Sequence, residues 1–235
     1  AETDAAGRRI PFGFDTQYSP QDGYHLVLTV DEVIQHFAEK AIEEAVVNNK
    51  AKKGTAIVMD PKTGDILALA VKPDYDPNTP FDPLSEEDKQ RWEGLSSEEL
   101  RDERLKMWRN FAVSDVYEPG STFKIITAAA GLEEGAVQPG STFYCKGSIT
   151  VGGRNLECWR SYNPHGHQTF TEAVQNSCNP VFIEVAQRLG KEKFLDYIEA
   201  FGFGEPTGVD LPGEASGIVM NPSTVGPVEL ANMGF

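Results

Sequence analysis

Basic residues are scarce in this chain: 21 lysines and arginines face 36 aspartates and glutamates, a formal charge of −15 over 235 residues. That balance argues against binding nucleic acid, or an anionic membrane surface, through bulk electrostatics. Long apolar runs are also missing. No stretch approaches the roughly eighteen residues of a membrane span, and no signal peptide is visible. Histidine is sparse, with four residues. His165-Gly166-His167 invites a metal reading, but zinc sites want further His, Cys or carboxylate ligands at defined spacing. Asn163, Pro164 and Gly166 instead mark a plain loop, and His25 and His36 are isolated. No phosphate-cradling glycine loop is convincing, so neither a metal nor a cofactor is expected. What remains is ample for a buried core: 40% of residues are hydrophobic, enough for one large domain or a domain with an extension.

The chemistry-bearing stretch is YEPGSTFKIITAAAGLEEG, residues 117–135. Pro119 and Gly120 punctuate it, and Ile125, Ile126, Ala128, Ala129, Ala130 and Leu132 then supply apolar helix formers until Gly135 stops the run. Positions i and i+3 share a helix face, so the Lys124 amine is expected beside the Ser121 hydroxyl. A desolvated lysine can remove the proton that keeps a serine a poor nucleophile. Donors at the helix start favour a developing oxyanion. The chain carries its own control. Residues 139–143 repeat the pentapeptide PGSTF, but Tyr144 replaces the lysine and no apolar helical run follows. Ser141 therefore reads as a turn residue.

Some fifty residues later comes Ser177-Cys178-Asn179, within QNSCNPVFIEVAQRLG. Residues 169–174 read as a short helix capped by Thr169 or Thr171. Pro180 disfavours helix at Asn179, and a second helix runs through Val181, Ile183, Val185 and Leu189. Ser177 and Asn179 thus sit on a rigidly framed connection. Taken alone they could be a turn residue and a helix cap. Following a serine–lysine helix, they complete a polar catalytic set.

With these motifs the chain resembles the transpeptidase domain of class B penicillin-binding proteins. The resemblance runs from about Tyr24 to the end on GTAIVMDPKTGDILALA, YEPGSTFKIITAAAGLEEG, QNSCNPVFIEVAQRLG and AFGFGEPTGVDLPGEASGIV. It is nearest the sporulation-specific type, with the division transpeptidases near by. It implies an α+β fold, a helical region plus an antiparallel sheet, and a D,D-transpeptidase that cross-links peptidoglycan stem peptides through a serine acyl-enzyme. The implied site is Ser121, Lys124, Ser177 and Asn179, with β-lactams acylating the same serine. The implied setting is the extracytoplasmic membrane face, with an N-terminal anchor and a membrane glycosyltransferase as partner. On this reading residues 1–22 end a pedestal region or linker, and residues 23–235 are the N-terminal portion of the transpeptidase domain. The family's third motif, a K-T-G strand that supplies one oxyanion donor, would lie beyond Phe235. A literal Lys62-Thr63-Gly64 is present, but it sits between two β-rich runs and reads as a hairpin turn. The alternatives are a β-lactamase, or a non-catalytic β-lactam sensor or scaffold. A β-lactamase needs a group to activate the deacylating water, and Glu214, flanked by glycine, reads as a loop carboxylate.

The remaining pattern is coarse. Residues 24–30 alternate like a strand. Asp31 or Thr29 can cap a helix with Val33, Ile34, Phe37, Ala41, Ile42, Ala45 and Val46 as its apolar positions, packed on the hairpin. Residues 84–110 are charged and helical in pattern, with Trp92, Leu95, Leu100, Leu105 and Trp108 as the buried side. Their acidic clusters read as a solvated face. Residues 148–153 form a short β excursion, and two helices end near Phe201. Residues 202–220 form a Gly/Pro-rich return segment. Cys145, Cys158 and Cys178 are either three small buried residues or, outside the cytoplasm, partly oxidised. On the second reading Cys145 and Cys158, which flank the glycine-rich residues 146–157, could close a hairpin through a redox-labile disulfide, whereas pairing Cys178 would distort the site.

Overall fold

The computed structural model describes Arg8 and residues 21–235, so most of the expected 1–22 linker lies outside the described residues. The chain divides into two compact units, Ala1–Pro73 and Asp74–Phe235.

In the first unit the Asp31 carboxylate accepts from the Val33 and Ile34 amides and caps α1 (Glu32–Asn49). The hairpin of β1 (Gly54–Met59) and β2 (Ile66–Lys72) follows. Ile34, Ala38 and Ile42, spaced four apart, meet Ala56, Ala68 and Ala70. A Cβ on Gly54 would come within 2.8 Å of Val46, so the glycine lets helix and strand approach closely. Val33 and Phe37 were expected in this interface but are exposed, because the two-stranded sheet covers only one helical stripe. The Lys62-Thr63-Gly64 triplet is a turn: the Lys62 amide donates to Asp60 Oδ1, and Gly64 takes a φ of 81°. The alternation of residues 24–30 does not become a strand. A strand exists only by pairing, and this segment and the residue after it meet β2 through Thr29 Oγ1 and the Asp31 amide, not through a ladder.

The second unit opens with α2 (Glu86–Trp92), α3 (Ser97–Trp108) and α4 (Phe111–Ser114). Ser85 and Ser96 cap α2 and α3, and the expected acidic clusters occupy their first turns, where helix dipoles favour anions. Leu105, expected inside, is 53% exposed; charged neighbours dominate α3, and its apolar stripe is too sparse to fix one buried face.

The core of this unit surrounds α5 (Lys124–Glu133) and α7 (Asn179–Leu189). Antiparallel pairs join β3 (Thr142–Cys145) to β6 (Gly166–Thr169), and β4 (Ser148–Val151) to β5 (Arg154–Glu157). Between β6 and α7 stands α6 (Phe170–Gln175), opened by a Thr169–Glu172 capping box. Then come α8 (Lys191–Ala200) and α9 (Pro227–Met233), the last not anticipated from sequence. A Cβ on Gly131 would lie 2.7 Å from Val185, so this glycine sets the spacing of α5 on α7. The architecture is α+β, as expected.

Candidate active site

Residues 120–123 form a single 3-10 turn that leads directly into α5. Gly120, at φ 58°, bends the chain so that Ser121 is presented on the exposed side of that turn. Three residues on, Lys124 points inward and is only 4% exposed. Its Nζ lies 3.1 Å from Ser121 Oγ, the i,i+3 relation expected of this spacing.

The second motif closes over the amine. Nζ is 3.0 Å from Ser177 Oγ, 2.9 Å from the Ser177 carbonyl and 2.6 Å from Asn179 Oδ1. Ser177 adopts φ 48°, the left-handed region that side chains rarely enter, at a cost of about 1–3 kcal/mol held by the surrounding structure. That conformation turns both its carbonyl and its hydroxyl toward Lys124. Asn179 begins α7 but makes no capping bond there. Its Nδ2 donates to the Glu157 carbonyl at 3.2 Å, which fixes Oδ1 toward the lysine. The helix-cap reading of Asn179 is therefore replaced by a bridge between β5 and the amine.

Hydrogen-bond capacity sets the chemistry. The Ser177 carbonyl and Asn179 Oδ1 can only accept, so Nζ must spend two N–H bonds on them. A neutral amine has no third N–H, and its lone pair is left for the hydroxyls of Ser121 and Ser177. Burial lowers the Lys124 pKa from 10.5 to about 8, with nearby Cys158 and Cys178 opposing it weakly. The rings of Phe182 and Phe235 lie 5.4 and 5.9 Å from Nζ and complete its enclosure.

An open groove over this cluster is lined by Gly120, Ser121, Trp159, Ser177, Asn179 and Phe235. All four residues singled out from sequence meet here. Trp159 and Phe235 were missed. The Trp159 indole donates to the Asn176 carbonyl at 3.0 Å while its ring stays 59% exposed, the signature of an aromatic wall. An exposed tryptophan beside Cys158 was the available signal. Ser141 is a turn residue as expected, its Oγ accepting from the Gln138 amide. Glu214 accepts from the Thr207 hydroxyl and from the amides of Thr207 and Gly208, which hold its carboxyl below the usual range, and it does not line the groove.

The family model described as penicillin binding protein transpeptidase domain matches residues 54–234. The chain belongs to the penicillin-binding protein transpeptidase family. Members similar to it include Stage V sporulation protein D of Bacillus subtilis, 42% identical over 99% of this chain and 33% of that protein. A Peptidoglycan D,D-transpeptidase FtsI homolog of Chlorokybus atmophyticus is 34% identical over 82% of this chain and 27% of its own length. Among solved structures, penicillin binding protein 3 of Mycobacterium tuberculosis complexed with aztreonam superposes with a TM-score of 0.72. It is 30% identical and covers 88% of this chain and 42% of that one. The chain spans a third or less of the length of these two curated relatives. Within the family fold, the serine–lysine pair sits at the start of α5 and the serine–asparagine pair at the start of α7.

Proposed function

We propose that this chain carries the acyl-transfer centre of a peptidoglycan D,D-transpeptidase. The observation that carries the reading is the Lys124 amine, buried and held by Ser177 and Asn179 against the Ser121 hydroxyl. A stem peptide ending in D-Ala-D-Ala enters the groove. Ser121 Oγ attacks the penultimate carbonyl as neutral Lys124 takes its proton, and the Ser121 backbone N–H faces the forming oxyanion. Ser177, hydrogen-bonded to the same amine, passes a proton to the departing D-Ala. Asn179 orients Lys124 and faces the substrate amide. An amine from a neighbouring stem then attacks the acyl-enzyme, releasing Ser121 and forming the cross-link.

β-Lactams occupy the same groove and acylate Ser121, with the Trp159 ring as a wall for their apolar side chains. The names of relatives, a sporulation protein and a peptidoglycan D,D-transpeptidase homolog, support a role in building cell wall at the extracytoplasmic membrane face. A membrane glycosyltransferase that makes the glycan strands fits such a role as partner. Against the β-lactamase alternative, no carboxylate lines the groove among the described residues, and Glu214 is engaged by Thr207 and Gly208.

Labelling with fluorescent penicillin followed by peptide mapping tests the reading. The adduct is expected on Ser121, stable over the time in which a β-lactamase would clear nitrocefin, and absent in Ser121→Ala. Undiminished labelling of Ser121→Ala, or rapid nitrocefin turnover, would overturn it.

A further inference from the structure

The three thiols do not pair; all are free and buried, as the first of the two readings has it, and not as the disulfide reading has it. They converge instead with a histidine. Cys145 ends β3, Cys158 follows β5, His165 precedes β6 and Cys178 occupies the turn between α6 and α7. One ligand atom from each of the four lies within 4.8 Å of all the others. Cys158 Sγ and His165 Nδ1 are 3.6 Å apart. For tetrahedral zinc with Zn–S near 2.3 Å and Zn–N near 2.0 Å, ligand edges are about 3.8 Å between sulfurs and about 3.5 Å from sulfur to nitrogen. One edge is already there, and the rest close with shifts of about 1 Å or less.

Hydrophobic packing explains three buried cysteines but not the groups beside them. Gln168 is 5% exposed, and its Nε2 has no hydrogen-bond partner among the described residues. Its Oε1 accepts from Asn176 Nδ2 at 3.1 Å, which fixes the amide with Nε2 on the side of the Cys178 thiol. A buried N–H aimed at a thiol is poorly used; aimed at a metal-bound thiolate it is the outer hydrogen bond that such ligands carry. His165 lies in the loop before β6, as expected, but half-buried and turned toward the sulfurs. The framework is firm: Cys145 pairs with Gly166 across β3 and β6, and the Cys158 amide donates to the Gly147 carbonyl.

We propose that Cys145, Cys158, Cys178 and His165 Nδ1 form a closed, structural zinc site behind the catalytic groove. Binding forms three Zn–S bonds and one Zn–N bond and releases three thiol protons to solvent, with no change of oxidation state. Three thiolates with one imidazole select zinc over harder cations. With four protein ligands no position is left for substrate, so the role is to brace. Cys178 stands between Ser177 and Asn179, and Cys158 follows Glu157, whose carbonyl holds Asn179. A metal there pins both sides of the turn that grips Lys124.

Cobalt titration of the whole chain, reduced and stripped by a chelator, reads the site without reference to activity. The expected result is about one equivalent of cobalt with a thiolate-to-cobalt charge-transfer band and tetrahedral d–d bands, displaced by zinc. Gln168→Met, which keeps all four ligands, should weaken cobalt binding about 10–100-fold. Cys158→Ser and His165→Ala should lose the band; should they fail to fold, the wild-type spectrum alone decides. Absence of uptake by the reduced protein, or uptake without the thiolate band, overturns the proposal. So does a native disulfide whose reduction restores no metal binding.

Discussion

Four oxygens surround the Lys124 amine, and two of them can only accept hydrogen bonds. That asymmetry decides which protonation state is useful. The ammonium form has three donors and saturates the carbonyl, the amide and a hydroxyl; the neutral form keeps two donors and turns its lone pair to a hydroxyl. With burial holding the pKa near 8, about one molecule in ten carries the neutral amine at pH 7. The second-order rate of β-lactam acylation should therefore rise about tenfold per pH unit below 8 and level off above it. A rate independent of pH between 6 and 9 would rule out Lys124 as the base. Lys124→Ala should lower the rate about 10²–10⁴-fold. Asn179→Asp sharpens the test, because a carboxylate at the position of Oδ1 favours the charged amine. The midpoint should move to higher pH by about one unit or more, measured by stopped-flow acylation across pH. The positions of Ser121 and Lys124 were legible because helix periodicity alone places i and i+3 together. The left-handed backbone of Ser177 was not legible: nothing in the letters S-C-N announces a positive φ.

At the scale of elements, α7 is the centre of the second unit. Val181, Phe182, Ile183, Val185 and Ala186 are all 2% exposed or less, so the helix is buried on most of its circumference and leaves only the stripe of Glu184, Gln187 and Arg188 to solvent. Its apolar run was readable from sequence, and so were the hairpin, α5, α6 and the β excursion at 148–153 that became β4, since each carries its own period and punctuation. The expected strand at residues 24–30 and the unanticipated α9 fail for one reason: both depend on what they pack against. Gly234, just beyond α9, shows how tight that packing is. A Cβ there would stand 2.8 Å from Ala186 Cβ and 3.2 Å from the Phe182 carbonyl, neither of which can rotate away. The Gly234 carbonyl also accepts from the buried Thr127 hydroxyl of α5 at 2.9 Å. Gly234→Ala should thus destabilise the protein by about 1–3 kcal/mol through overpacking, read as a lowered melting temperature. An unchanged melting temperature would mean that α9 yields freely against α7.

Over the whole molecule, order is spread unevenly, and the groove is built on the best-packed part. Four of its lining residues, Gly120, Ser121, Ser177 and Asn179, lie at the starts of α5 and α7, and Phe235 follows the helix packed on α7. Residues 206–220 carry no helix or strand, and residues 21–30 are similarly irregular and exposed. Backbone amides open according to the buried contacts that must be broken to free them. Hydrogen exchange followed by mass spectrometry should therefore find peptides from α7 the slowest in the second unit. Peptides from 206–220 should exchange within the first time points. In the first unit α1 and β2 should outlast 21–30, because Ala38, Ala68 and Ala70 form its small core. Protection of α7 no greater than that of 206–220 would mean that the core does not hold the Ser177 turn, and that its strained backbone is sustained by something other than packing.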